Sequence, residues 1–217
     1  MKNTLLLAFS LTLISSSSAL FAEGSVSTGK EKTAACAGCH GEDGNSQVST
    51  FPKLAQQHAS YLVKQLVALK TNARKDAMMN GIAASLSDQD MNDIGDYYAA
   101  QKVSANKPSE TPSDADASKT KEEQDQLLAT GRNLYRNGNL TTQVSACIAC
   151  HGPFGDGNKP ASFPLLKAQH ADYIVKTLTD FKTDARSNNP DNMMHMIAKK
   201  MSEQEIKAVA YYLSAQK

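Results

Sequence analysis

The chain has no tryptophan, very little net charge and few cysteines. Its 217 residues carry 23 basic and 22 acidic side chains, for a formal charge of +1. Such a balance argues against a nucleic-acid binder, which presents a strongly basic face. No alternating apolar and polar run marks a strand, and no stretch reaches the ~20 consecutive apolar residues that span a bilayer. With 41% hydrophobic and 21% charged residues the chain is ordinary globular material, long enough for one large or two small domains.

The first segment stands apart from any core. Met1-Lys2 precedes an apolar run from Leu5 to Ile14, then Ser15 to Ser18 and the small-residue stretch Ala19-Leu20-Phe21-Ala22. This order predicts a secretory signal over residues 1–22, cleaved after Ala22 or Ala19, and too short for a membrane anchor. The mature protein is expected to be exported to the periplasm and soluble, or at most peripheral to the membrane.

All four cysteines fall in two copies of one pattern, Cys36-Ala37-Gly38-Cys39-His40 and Cys147-Ile148-Ala149-Cys150-His151. C-x-x-C-H is the signature of c-type haem attachment. Two thiols on one short turn add to the two vinyl groups of a haem, and the next residue places an imidazole on the iron. A zinc site, a redox disulfide and two structural disulfides also account for four cysteines. Only haem accounts for the histidine that follows the second cysteine both times.

The duplication runs far beyond this motif. Phe51-Pro52 recurs as Phe163-Pro164, His58 with Tyr61 as His170 with Tyr173, and Arg74 as Arg186. Met78-Met79 recurs as Met193-Met194, Ser87 as Ser202, and Gln101-Lys102 as Gln216-Lys217. One domain is therefore written twice, over 23–102 and 122–217, with two small insertions in loops of the second copy. Residues 103–121, acidic and rich in Pro and Ser, have the composition of a linker. Eight basic and nine acidic residues over 23–102 contrast with eleven and seven over 126–217. This asymmetry reads as solvated surface, although in a carrier it can steer docking.

Within each copy the apolar periodicity is helical. Leu62, Leu66 and Leu69 mark one helix over 58–72, and Ile174, Leu178 and Phe181 its repeat over 171–183. Ser87-Asp88-Gln89-Asp90 and Ser202-Glu203-Gln204-Glu205 resemble capping boxes that open a terminal helix in each copy. Tyr97, Tyr98, Tyr211 and Tyr212 are expected to pack that helix on the first one. A domain of this size is marginal on side chains alone, so a bound haem would serve as much of its core. Methionines cluster in a loop shortly before each capped helix, which suits His/Met ligation and the raised potential it brings. Bis-His ligation through His58, His170 or His195 is the weaker alternative. The paired His58 and His170 read as the starts of exposed helices, and His195 has Asn80 in its place in the other copy.

These residues resemble the dihaem cytochrome c4 family, whose domains are similar to class I cytochromes c. The resemblance covers essentially the whole mature chain and rests on the paired C-x-x-C-H, the Gly- and Asn-rich turn after each, the Phe-Pro-x-Leu element and the helix start that follows the methionines. It implies an all-α fold of two tandem cytochrome c domains, each around one covalent haem c. The attachment residues would be Cys36, Cys39, Cys147 and Cys150. His40 and His151 would be the proximal iron ligands. Met79 and Met194, eight residues before Ser87 and Ser202, would be the distal ones, with Met78 and Met193 as runners-up. Carbonyls at Pro52 and Pro164 would accept the second ring N–H of the proximal histidines. Gly29 and Gly131 would let the first and last helices cross closely. The long acidic linker departs from the family's commoner pattern.

Saturated iron leaves no place for a small-molecule substrate, so the resemblance implies a one-electron carrier and not an enzyme. Its partners would be a quinol-oxidising bc1 complex and a terminal oxidase. The alternatives are a dihaem redox enzyme, a peroxidase or sulfur-compound dehydrogenase with an open iron, and the electron-accepting subunit of a larger dehydrogenase.

Overall fold

A computed structural model describes residues 24–106 and 120–217; the expected signal segment and most of the expected linker lie outside the described residues. Every regular element among the described residues is helical. Extended pairing is confined there to two isolated bridges, Asn139 with Val144 and Asn158 with Phe163.

Local chemistry sets the helix starts. In the N-terminal half, the Ser25 hydroxyl caps α1 (Val26–Lys32) by accepting from the Thr28 N–H. The short α2 (Ala34–His40) carries the first Cys/His motif and α3 (Ala59–Lys70) follows a loop. The Asp76 carboxylate caps α4 (Ala77–Ala84), and a reciprocal Ser87/Asp90 capping box opens α5 (Asp88–Ala99). The C-terminal half repeats this with α6 (Lys121–Asn137), α7 (Ile148–His151), α8 (Ala171–Lys182), α9 (Met193–Ala198) and α10 (Glu203–Ser214). The expected Ser202/Glu205 box opens α10, and Thr120/Glu123 forms another at α6.

In each half the first helix crosses the last: α1 lies on α5 and α6 on α10, while α3 and α8 pack against the same terminal helices. Glycine permits the crossing. A Cβ on Gly29 would stand 2.1 Å from the Asp93 carbonyl oxygen, and one on Gly131 2.0 Å from that of Ala208. Both methionine pairs, which the sequence reading puts in loops, lie instead in the first turns of α4 and α9. Asp76 Oδ1 accepts from the Met79 N–H at 3.0 Å and Asn189 Oδ1 from the Met194 N–H at 2.8 Å, which starts a helical turn at each place. The larger insertion of the second copy forms a 3-10 turn (Pro190–Asn192) before α9. Asp191 and Asn192 take φ of 51° and 52° there, a left-handed conformation that these two residue types tolerate.

The halves face each other about a pseudo-two-fold axis. The Gln57 amide donates to and accepts from the Leu165 backbone, both at 2.9 Å. Gln169 does the same to the equivalent Lys53, at 2.9 and 2.8 Å. Arg74 donates to the Tyr173 hydroxyl and Arg186 to the Tyr61 hydroxyl, each at 3.2 Å. His170 does begin α8, but the exposed position expected of it is wrong. It is 2% exposed, with Nε2 held by Ser46 Oγ at 2.9 Å and Ser46 O at 3.0 Å in the other half. After α5 the chain is pinned onto the second half, where the Asn106 amide donates to the carbonyls of Ala168, Gln169 and Ser214 at 3.1, 3.0 and 3.1 Å.

Candidate functional site

The two Cys/His motifs occupy equivalent places. Each sits on a short helix that ends at the histidine, because the next residue, Gly41 (φ 81°) or Gly152 (φ 77°), leaves the helical region. Both imidazoles are buried. His40 Nδ1 meets the Pro52 carbonyl at 2.9 Å and His151 Nδ1 meets the Pro164 carbonyl at 3.1 Å. A carbonyl can only accept, so Nδ1 carries the proton and Nε2 keeps its lone pair for a metal. Burial pushes both rings below the ordinary histidine pKa, with the proline carbonyls acting in the opposite direction, so they are neutral near pH 7. Phe51 and Phe163 flank them, ring centroids 6.2 Å away in each case.

The four thiols form no disulfide. Burial pushes the Cys36 thiol up and Cys147 up to about 11, the reverse of what a thiolate redox pair needs. No group of three or more His, Cys, Asp or Glu side chains able to hold a metal ion assembles among the described residues, so the pairs do not join in a zinc site.

Burial separates the methionines. Met79 and Met194 are partly buried, whereas Met78 is 56% exposed and Met193 37%. Met201 is buried in the core of the second half. His195 braces the backbone of its own half. Its Nδ1 meets the Phe181 carbonyl at 2.8 Å, as Asn80 Nδ2 meets the equivalent Leu69 carbonyl at 2.6 Å. The tyrosines do more than pack. Tyr97 donates to the Glu42 carbonyl at 2.9 Å and Tyr135 to that of Gly152 at 2.6 Å, so each half ties down the loop after its motif, with tyrosines from different helices.

Two features fit a large apolar group that also bears carboxylates. The buried cluster of the N-terminal half comprises Leu62, Ile94, Tyr97 and Tyr98, a small core that a haem would complete. At the interface, Arg186 is 6% exposed and is met by Tyr61, Gln65, Asn188 and the Phe181 ring, all neutral. Arg74 likewise meets Gln65 and Tyr173. Burial alone would raise the Tyr173 hydroxyl, yet the two guanidiniums outweigh it and hold the group below the usual tyrosine value. The buried Arg186 has no carboxylate among these partners, and a haem propionate would supply one. Sequence reasoning missed the contacts that Gln57, Gln169, Arg74 and Arg186 make across the interface. The available signal was their recurrence, since the same polar residue stands at the equivalent place in both copies.

The cytochrome c family model matches residues 26–102 and 128–217. The chain is 40% identical to cytochrome c4 of Azotobacter vinelandii over 97% of its own length and 95% of that protein's. It is 34% identical to the thiosulfate dehydrogenase electron acceptor of Thiomonas intermedia, over 85% of the chain and 80% of that protein. The crystal structure of reduced recombinant cytochrome c4 from Pseudomonas stutzeri superposes with a TM-score of 0.79 at 38% identity, covering 89% of this chain and all of that one. Two repeated domains and similarity over nearly the full length make this an all-α electron-transfer protein, not an enzyme, with two covalently bound haem c groups, and the chain belongs to the dihaem cytochrome c4 family.

Proposed function

We propose that the protein is a periplasmic shuttle that takes electrons one at a time from a quinol-oxidising bc1 complex and delivers them to a terminal oxidase. Residues 1–22 would direct export, and 23–102 and 122–217 would be its two domains. Cys36 with Cys39, and Cys147 with Cys150, form the thioether links. His40 and His151 would hold the irons through Nε2, and Met79 and Met194 would hold them through their thioethers. Haem c supplies the one-electron Fe(III)/Fe(II) couple. The chain's own residues hold the imidazoles in one tautomer and bury them from water, and the four ligand side chains would leave neither iron open to a substrate. The observation that carries this reading is the repeated contact of His40 Nδ1 with the Pro52 carbonyl and His151 Nδ1 with the Pro164 carbonyl, which leaves a free Nε2 beside each cysteine pair.

An optical redox titration of the mature protein, followed by carbon monoxide on the reduced form, tests it. Two haems titrating at positive potentials with no gas bound support the carrier. Ready binding at one haem would show an open iron and favour a redox enzyme. A second reading has specific support from the similarity to a thiosulfate dehydrogenase electron acceptor. As the acceptor of such a dehydrogenase the protein would copurify stably with a catalytic partner and be reduced by it.

A further inference from the structure

The glutamines at the pseudo-two-fold interface bind one particular peptide group in each half. The carbonyl of Pro52 and the N–H of Lys53 belong to the same planar amide. On one side of it, Pro52 O accepts from His40 Nδ1 at 2.9 Å; on the other, the Lys53 N–H donates to Gln169 Oε1 of the opposite half at 2.8 Å. The arrangement repeats with the amide between Pro164 and Leu165. Its carbonyl accepts from His151 Nδ1 at 3.1 Å, and its N–H donates to Gln57 Oε1 at 2.9 Å. The orientation of each glutamine is fixed by its other amide atom, since Nε2 donates to the carbonyl of Lys53 or Leu165 at 2.9 Å in both cases. Each Oε1 also accepts from the N–H of the residue that caps the following helix, from His58 at 3.1 Å and His170 at 3.0 Å. Gln57, Gln169 and Lys53 are all buried.

We propose that Gln57 and Gln169 are positioning residues that set the reduction potential of the haem in the opposite domain, through the peptide group that holds its proximal imidazole. The proposal rests on His40 and His151 being the proximal ligands. Accepting the peptide N–H draws electron density onto the carbonyl oxygen at the other end of the amide, because hydrogen bonds in a chain polarise one another. A more negative oxygen accepts more strongly from Nδ1–H, makes the imidazole a stronger donor and stabilises the ferric state. Docking of the two domains therefore lowers both potentials by the same route, and each half sets the electronics of the other.

The test uses the full-length holoprotein, with spectroelectrochemistry and NMR of the imidazole Nδ1–H protons resolving the two haems. Gln169→Met removes the acceptor with little change in volume. It is expected to raise the potential of the haem held by His40, by about two- to fourfold in its reduction equilibrium constant, and to shift the His40 Nδ1–H resonance. The haem held by His151 stays unmoved. Gln57→Met is expected to give the converse. Gln169→Glu, which keeps an oxygen for the Lys53 N–H, is expected to reverse the rise. Ser49→Ala removes an interface hydrogen bond in which neither of these amides takes part, the 2.6 Å contact of Ser49 Oγ with Asp172, and is expected to leave both potentials alone. The proposal is overturned if either Met variant leaves the opposite haem unmoved, or if both haems shift together as they also do in Ser49→Ala. A wild-type protein with thioether-bound haem but no haem-coupled imidazole Nδ1–H resonance would instead overturn the ligand assignment beneath it.

Discussion

Gly131 of α6 and Ala208 of α10 lie closer than any side chain allows, a Cβ on the glycine falling 2.0 Å from the Ala208 carbonyl oxygen. Gly29 and Asp93 repeat the relation in the other half at 2.1 Å. The obstacle is backbone, which cannot rotate away as a side chain could. Gly29→Ala and Gly131→Ala are therefore expected to destabilise their own halves by about 3 kcal/mol or more. Gly81 lies inside α4 with open space around it. Gly81→Ala should stabilise by about 0.5–1 kcal/mol through helix propensity. Urea unfolding midpoints check all three, and a neutral Gly131→Ala would refute the close crossing.

Loss of a distal ligand should open one iron at a time. Met79→Ala and Met194→Ala are each expected to let the reduced protein bind about one equivalent of carbon monoxide and to lower the potential of that haem. Met78→Ala and Met193→Ala remove more exposed side chains and should do neither. Gas titration with optical detection distinguishes the pairs, and binding in Met193→Ala but not in Met194→Ala would reassign the ligand.

The two halves should differ in their response to acid. Hydrogen bonds from Lys32, the Ser25 N–H and Gln89 hold the Asp93 carboxyl below the ordinary aspartate range, whereas its counterpart in the second half is Ala208. A carboxylate whose pKa is depressed by folding contributes stability above its unfolded value, about 3.9, and that contribution is lost as pH falls through the folded value. Acid should then weaken the N-terminal half through this group, while Asp93→Asn is less stable at neutral pH and depends less on pH below 4. Urea melts at pH 7 and pH 3 measure the difference, and an unchanged pH slope in the variant would exclude the role.

Asn106 joins the end of the first half to the second through one amide nitrogen whose two N–H bonds are shared among three carbonyls. Asn106→Ala leaves the carbonyls of Ala168, Gln169 and Ser214 without this donor and is expected to cost about 1–3 kcal/mol. The loss should appear as a lower urea midpoint and faster limited proteolysis between the domains.

Much of this architecture could be read locally. The haem chemistry was legible because two thiols and an imidazole must lie within one helical turn, so their spacing is set by covalent geometry. Capping boxes at Ser87 and Ser202 were legible for the same reason, since donor and acceptor lie three residues apart. The helical rather than looped setting of Met79 and Met194 was not, because it depends on Asp76 and Asn189 turning their side chains back onto the chain. Nor was the burial of His170, whose partner Ser46 is 124 residues away. The repetition of Gln-His at 57–58 and 169–170 was the available signal, since a duplicated polar pair ahead of an amphipathic helix marks a shared contact.

By itself the sequence determined that a single haem-binding domain occurs twice and where its capped terminal helices begin, because these follow from direct repetition or from contacts within a few residues. Only the tertiary structure decided that the domains meet about a pseudo-two-fold axis, with Gln57 and Gln169 on the peptide groups behind the opposite imidazoles. Those contacts join residues more than 100 apart in the chain, where no local pattern of spacing or propensity reaches.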